Sequence, residues 1–283
     1  MKLVDKTIVV NKVKQILRYK EREAKNFICE CLNITYTDFH LKQGITRKQY
    51  FFIYKCLVLF KIGKPINKII KKANFYGRTF VIDKCVLAPR CETERVVEQA
   101  LDEIKHNERY LNKDEKFNVL DLCCGSGIIG ITIFKQSDRV NVTCADISKQ
   151  ALKIAKINAK NHNCNINIVK SNMFKGISGK FDFIVSNPPY ISKSEYSALG
   201  KDVKRYDPKI ALVAGDDGLK FYRIICDNVS EYLNEQGVLI LEIGYNQKDD
   251  IVKLFSDKFK QIDVYKDYEG NDRIAVLKGV KKC

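Results

Sequence analysis

The apolar positions of the chain follow two rhythms, and the change between them divides the sequence. From about Lys2 to Ala73 they recur at three and four, as in Val9, Val13, Ile16 and Leu17, with a longer apolar segment carrying Phe51, Phe52, Leu57, Leu59, Phe60 and Ile62. That spacing predicts helices, with Thr37 and Thr46 as N-caps and Gly44 and Gly63 as stops, so residues 1–73 form a small helical bundle. Between Phe75 and Leu87 the residues turn β-branched and aromatic (FYGRTFVIDKCVL), which predicts a β-hairpin linker over residues 74–90.

From residue 91 to residue 283 the pattern changes. Glu92 to His106 carries Val96, Val97, Ala100, Leu101 and Ile104 on one helical face. Short apolar runs follow at Asn118–Leu122, Val140–Ala145, Ile166–Lys170, Phe181–Ser186, Gly237–Ile243, Gln261–Lys266 and Ile274–Lys278. Helical patterns at Ile128–Lys135, Lys149–Asn161, Leu219–Leu233 and Lys248–Phe259 lie between them. Apolar strands alternating with helices are covered on both faces, so the fold class is α/β with a doubly wound, mostly parallel seven-stranded sheet. Only the turn YEGND separates the last two runs, which predicts a hairpin and an antiparallel seventh strand.

Composition narrows the class. With 283 residues, 45% hydrophobic, 30% charged, 15 Gly and 5 Pro, the chain is long enough for two domains and is neither collagenous nor disordered. Its 11 Cys are scattered with no C-x-x-C pair, which argues against a disulfide framework or a zinc site and for a reduced, cytoplasmic protein without a metal. The opening MKLVDKTIVVNKVKQ interrupts any signal-peptide core with charges. Tyr50–Ile62 contains Lys55 and Lys61 and is too short to cross a membrane. The net charge of +16 is concentrated early: residues 1–80 hold 18 Lys/Arg against 5 Asp/Glu, the remainder 32 against 29. That surplus fits either an acidic partner, protein or nucleic acid, or a well-solvated helical surface.

Two loops carry the candidate chemistry. VLDLCCGSGIIG places Cys123, Cys124, Gly125, Ser126 and Gly127 between a strand and an Ile-rich helix. There glycines admit a ligand to the carboxyl edge of the sheet, and the helix start offers free N–H groups. A lone G-x-G is equally an ordinary tight turn. Asp121 within the strand is costly to bury, so it is expected to face the loop or a charged ligand end. Asp146 closes the second strand, where a carboxylate accepts both hydroxyls of a ribose; capping of the next helix is the plainer role, which Ser148 can fill itself. A dinucleotide dehydrogenase is the runner-up reading of this loop.

The second loop is Asn187-Pro188-Pro189-Tyr190, closing the run FDFIVS. Two prolines fix two φ angles and remove two donors, so the loop is stiff and presents carbonyl oxygens. The Asn187 side chain adds an acceptor and Tyr190 an aromatic face, which together suit a planar group bearing N–H2. Such a nitrogen is a poor nucleophile because its lone pair is delocalised. Acceptance of its protons by the Asn187 oxygen and the Pro188 carbonyl aims it and returns electron density to it. A strand-ending turn is the plainer reading of the same residues.

The order D-x-x-x-G-x-G, a second-strand acid and NPPY resembles class I S-adenosylmethionine-dependent methyltransferases with a Rossmann-like sheet. NPPY alone is shared by enzymes acting on base amino groups and on glutamine. The further blocks VLAPRCETERVVE, YDPKIALVAGDDGLKFYRII, LEIGYNQ and KDYEGNDRIAV resemble the peptide chain release factor glutamine methyltransferase family, in order and spacing from about Phe75 to Val276. The resemblance implies methyl transfer to the side-chain amide nitrogen of the glutamine in the Gly-Gly-Gln motif of release factors. It implies S-adenosyl-L-methionine held by Asp121, Cys123 to Gly127, Asp146, Met173 and Asn187, with Asn187, Pro188, Pro189 and Tyr190 gripping the acceptor amide. Arg90, Glu92 and Glu94 belong to a loop near that site, although Thr93, Glu94 and Glu98 also suit a helix start.

Departures from the family pattern are Cys123 and Cys124 before the GSG, Met173 where an aromatic is common, Cys91 for a proline, Asp207 for a glutamate and Asn271 for an arginine. The sister reading, a ribosomal-protein glutamine methyltransferase, fits the Arg90–Glu94 run less well. An rRNA or DNA amino-group methyltransferase is permitted by the basic N-terminal segment, but the chain shows no RNA module or target-recognition domain, so nucleic acid is not required. The partners expected are release factors, with no membrane and a monomer as the default.

Overall fold

The computed structural model of the chain describes residues 3–108, 112 and 114–281. The outermost residues of the two predicted domain ranges, 1–2 and 282–283, lie outside the described residues. The chain divides into two compact units, Met1–Lys72 and Ala73–Cys283.

The first unit carries helices α1 (Lys6–Leu17), α2 (Glu21–Leu32), α3 (Tyr36–Leu41), α4 (Arg47–Lys61) and α5 (Ile66–Ile70), with strands β1 (Leu3–Val4) and β2 (Ile45–Thr46) paired antiparallel. Val9, Val13, Ile28, Phe39, Ile53 and Leu57 interlock in its core. Thr46 caps α4, exchanging hydrogen bonds with Gln49. Thr35, not Thr37, caps α3, because Asp38 three residues on completes a reciprocal box with it. Gly44 ends no helix; a Cβ there would lie 2.9 Å from Leu3 Cβ, so it is the close approach of β1 that requires glycine.

The second unit opens with the hairpin β3 (Lys72–Phe75) and β4 (Arg78–Val81), followed by α6 (Glu92–Asn107). The hairpin is part of this unit's core: Phe75 and Phe80 pack with Val96, Val97 and Ile104. Asn158 donates to Val81 O and accepts from Val81 N. Then come β5 (Phe117–Leu122), α7 (Ile128–Gln136), β6 (Val140–Asp146), α8 (Lys149–Asn161), β7 (Asn167–Lys170) and β8 (Phe181–Ser186). The short helices α9 (Lys193–Ala198) and α10 (Lys201–Tyr206) follow, then α11 (Lys220–Tyr232), β9 (Leu233–Glu242), α12 (Lys248–Phe255), β10 (Phe259–Lys266) and β11 (Asp272–Val280).

Among the described residues seven strands form the central sheet, in the order β10-β11-β9-β8-β5-β6-β7. β5, β6, β7, β8 and β9 are parallel, and β11 runs antiparallel to both β9 and β10, as the short YEGND turn predicts. Neighbouring residues of β5 show why both of its faces carry apolar side chains. Val119 packs on the side of α6, α7 and α8, and Leu120 on the side of α11 and α12. Connections leave β5 toward β6 on one side and return to β8 on the other. The chain therefore reverses its winding at the carboxyl end of β5, where open α/β sheets leave a crevice. No helix among the described residues is long and apolar enough to cross a membrane.

Candidate active site

A cavity of about 430 Å3 opens at that point of reversal. Its wall includes Cys123, Cys124, Gly125 and Ser126 after β5, Asp146 at the tip of β6, Met173 after β7, and Asn187 and Pro189 after β8. Arg90 and Thr93 border it from the start of α6, and Ile210, Ala211 and Val213 from the segment after α10. That last segment is tied back by Ile191 N donating to Leu212 O and Ala214 N donating to Ile191 O. Arg90 bridges to it as well, with Nη2 3.1 Å from Asp207 Oδ2.

The glycine loop is shaped by backbone demands. Gly125 and Gly127 adopt φ of 55° and 76°, and a Cβ built on Gly125 meets nothing within 4 Å, leaving open space at the cavity wall. Cys123 takes the same left-handed conformation at φ 63°, which costs a side-chain-bearing residue about 1–2 kcal/mol. Asp146 fastens the loop: its Oδ2 accepts from Gly125 N at 2.9 Å and its Oδ1 from Ser148 N at 2.8 Å. Burial raises its pKa while those N–H groups work against the rise. Ser148 caps α8, leaving Asp146 on the cavity wall.

Asp121 does not line the cavity. Gly127 at the cap position of α7 has no side chain, so the third residue of that helix, Gly130, lacks a local acceptor for its N–H. Asp121 supplies one from the strand, Oδ2 accepting from Gly130 N at 2.8 Å. Its Oδ1 is buried with no hydrogen-bond partner among the described residues. Burial is the largest cause that pushes this carboxyl up to about 7, the nearby Asp146 charge adds to it, and the Gly130 N–H opposes it.

The cysteines of the loop are shielded. Burial first, then the Asp146 charge, pushes the Cys123 thiol up to about 12. A hydrogen bond with Cys144, together with burial, raises Cys124 well above its ordinary value. Both thiols stay protonated at neutral pH and are poor nucleophiles there.

Asn187 is held by a buried polar chain that crosses the sheet. Its Nδ2 donates to Thr93 Oγ1 at 3.2 Å, and Thr93 Oγ1 donates to Glu242 Oε2 at 2.7 Å. The hydroxyl of Tyr190 donates to the other oxygen, Glu242 Oε1, at 3.3 Å. Tyr190 is thereby tied to β9 through its hydroxyl, and it is half-buried. Glu242 is 1% exposed between Leu241 and Ile243. Desolvation pushes it up to about 7 against the Thr93 hydrogen bond and the Arg273 charge.

The loop residues predicted near the site separate. Arg90 reaches the cavity, whereas Glu94 Oε1 accepts from Tyr76 N at 2.7 Å and pins the β3–β4 turn. Glu92 lies off the wall with Oε2 accepting from Cys91 Sγ, and Pro188 is buried, as Pro189 is. The partnership of Thr93 with Glu242 was not anticipated. Its one sequence signal is a carboxylate closing the apolar run Val238–Leu241, the kind of burial cost already noted for Asp121.

Similarity to known proteins agrees with this geometry. The family described as Methyltransferase small domain matches residues 108–203. A release factor glutamine methyltransferase of Streptococcus pneumoniae is 39% identical over 264 residues, covering 91% of this chain and 92% of that protein. One from Clostridium botulinum is 39% identical over 247 residues, covering 85% and 83%. Among solved structures, the hMettl16 catalytic domain in complex with a 3'UTR hairpin superposes with a TM-score of 0.56 at 15% identity, covering 84% of this chain and 83% of that one. The latter likeness is one of fold.

Proposed function

The chain belongs to the release factor glutamine methyltransferase family, and from that premise we propose that it transfers a methyl group from S-adenosyl-L-methionine to the side-chain amide nitrogen of the glutamine in the Gly-Gly-Gln motif of release factors. The observation that carries the reading is that Asn187 and Pro189 stand on the wall of the same cavity as Gly125 and Asp146. The acceptor loop and the nucleotide-type loop thus serve one chamber.

The chamber fits the methyl donor. Gly125 leaves room for a ligand against the backbone, Asp146 has a carboxylate for a ribose, and Met173, 6% exposed, gives an apolar edge for an adenine. When bound, S-adenosyl-L-methionine supplies an electrophilic methyl on a sulfonium. The protein's part is to position the acceptor. The Asn187 oxygen and the Pro188 carbonyl accept the two amide protons, which holds the nitrogen in line and counters delocalisation of its lone pair. Pro188 and Pro189 contribute no N–H, so the loop sets no donor against the incoming amide. No strong base is needed, since the nitrogen, once methylated, is cationic and acidic enough to give up its proton to water.

The helical unit supplies partner recognition in this reading. Its basic surplus attracts an acidic protein surface, and Phe51, Tyr54 and Val58, exposed along α4, give apolar contacts at one helical spacing. Ten free cysteines among the described residues suit the reducing cytoplasm. Incubation with labelled S-adenosyl-L-methionine, a purified release factor and total RNA in one mixture tests the reading. Label is expected in the release factor, and label in the RNA alone overturns it.

A further inference from the structure

Asn187 has to present an oxygen to its substrate, yet an amide can be turned either way. We propose that Glu242, acting through Thr93, sets which edge of the Asn187 amide faces the cavity, so that both are positioning residues for methyl transfer. The inference rests on the reading of the substrate as a carboxamide.

The reasoning is an account of protons. An ionised carboxylate only accepts, so the Thr93 hydroxyl, 2.7 Å away, must spend its single proton on Glu242 Oε2. What Thr93 then shows to Asn187 is a lone pair. A lone pair 3.2 Å from the amide requires the NH2 edge, which leaves Oδ1 for the substrate. With the amide reversed, two NH2 groups would meet, one from Asn187 and one from the acceptor, and the nitrogen would lose a proton acceptor. A carboxylate on β9 thereby decides the polarity of a loop after β8 without touching the substrate. The groups facing it are Thr93 and Glu92 from α6, Tyr190 from the loop, Tyr222 from α11, whose hydroxyl donates to Glu242 O, and Arg273 from β11. Tyr190 and Thr93 both donate to it, and Arg273 favours its ionised form; Glu92 opposes that form. Protonation of Glu242 would let it donate to Thr93, whose own proton would then turn to Asn187 and favour the reversed amide.

The test uses the full-length enzyme with a release factor as acceptor. Thr93→Val and Glu242→Gln are expected to lower kcat on the order of 100-fold, with KM and cofactor Kd changed less than about threefold, while Thr93→Ser restores most of the loss. Wild type and Thr93→Ser are expected to share an acid limb in kcat that Glu242→Gln lacks. In isotopically labelled protein without substrate, the side-chain NH2 resonance of Asn187, identified by its absence in Asn187→Ala, should move in Thr93→Val and return in Thr93→Ser. A Thr93→Val enzyme as active as wild type, a Thr93→Ser enzyme no better than Thr93→Val, or an Asn187 resonance indifferent to residue 93 overturns the proposal. Absence of transfer by the wild type refutes the substrate reading instead, and the resonance then decides the relay by itself.

Discussion

Replacing Glu242 by glutamine should make the protein more stable while making it a worse enzyme. The carboxyl is 1% exposed and its pKa is pushed from 4.5 to about 7, mainly by loss of water. A folded-state value above the unfolded one means that ionisation is disfavoured in the native protein. The contribution of this group to stability is therefore greatest below about 4.5 and is lost as pH rises through 7, after which the loss is constant. A shift of this size corresponds to about 3 kcal/mol as an upper bound. Glutamine keeps the shape and one acceptor without the charge, so Glu242→Gln should match wild type near pH 4.5 and exceed it by up to about 3 kcal/mol at pH 8. For a unit of this size that is several degrees in Tm, at about 2–4 °C per kcal/mol. Thermal unfolding of both proteins across that pH range, with reversibility checked, measures the difference. A variant less stable than wild type at pH 8, or a gap that does not change with pH, refutes the reasoning.

Two further outcomes follow from the same geometry. Gly125→Ala places a methyl in open space at the cavity wall on a backbone with φ of 55°; cofactor Kd, read by calorimetry, should weaken at least about tenfold while stability falls by only about 1 kcal/mol. If the surplus of basic residues in the helical unit steers an acidic partner, kcat/KM for a release factor should fall steadily as salt is raised, since the screening length shortens from about 10 Å at 0.1 M to about 3 Å at 1 M. A rate indifferent to salt would remove the steering role and leave that surface as mere solvation.

Much of this was legible because the sheet announces itself. Runs such as Val238–Leu241 are apolar on both parities, which only a strand covered on two faces requires. The glycine loop, Asp146 and Asn187 sit at the ends of those strands, so locating the strands located the cavity. The misread parts have two causes. Short helices such as α9 and α10, six residues each, have no turn-to-turn apolar repeat to detect. Partnerships across the fold leave no local trace: Thr93 and Glu242 are 149 residues apart, and Arg90 and Asp207 are 117. The cost of burying a carboxylate points Asp121 to the loop or to a charged ligand end; it is the free N–H of Gly130, at the start of α7 just after the loop, that satisfies one of its oxygens. The hydroxyl of Tyr190 has a distant partner too, donating to Glu242 52 residues away.

The claim on which the function depends is that Asn187 receives the acceptor amide and is not a structural support of the cofactor pocket. Asn187→Ala, assayed in single turnover with a release factor and in parallel for binding of S-adenosyl-L-methionine, separates the two. Transfer should fall at least about 100-fold with cofactor Kd within about threefold of wild type. Equal loss of transfer and of cofactor affinity would contradict the account.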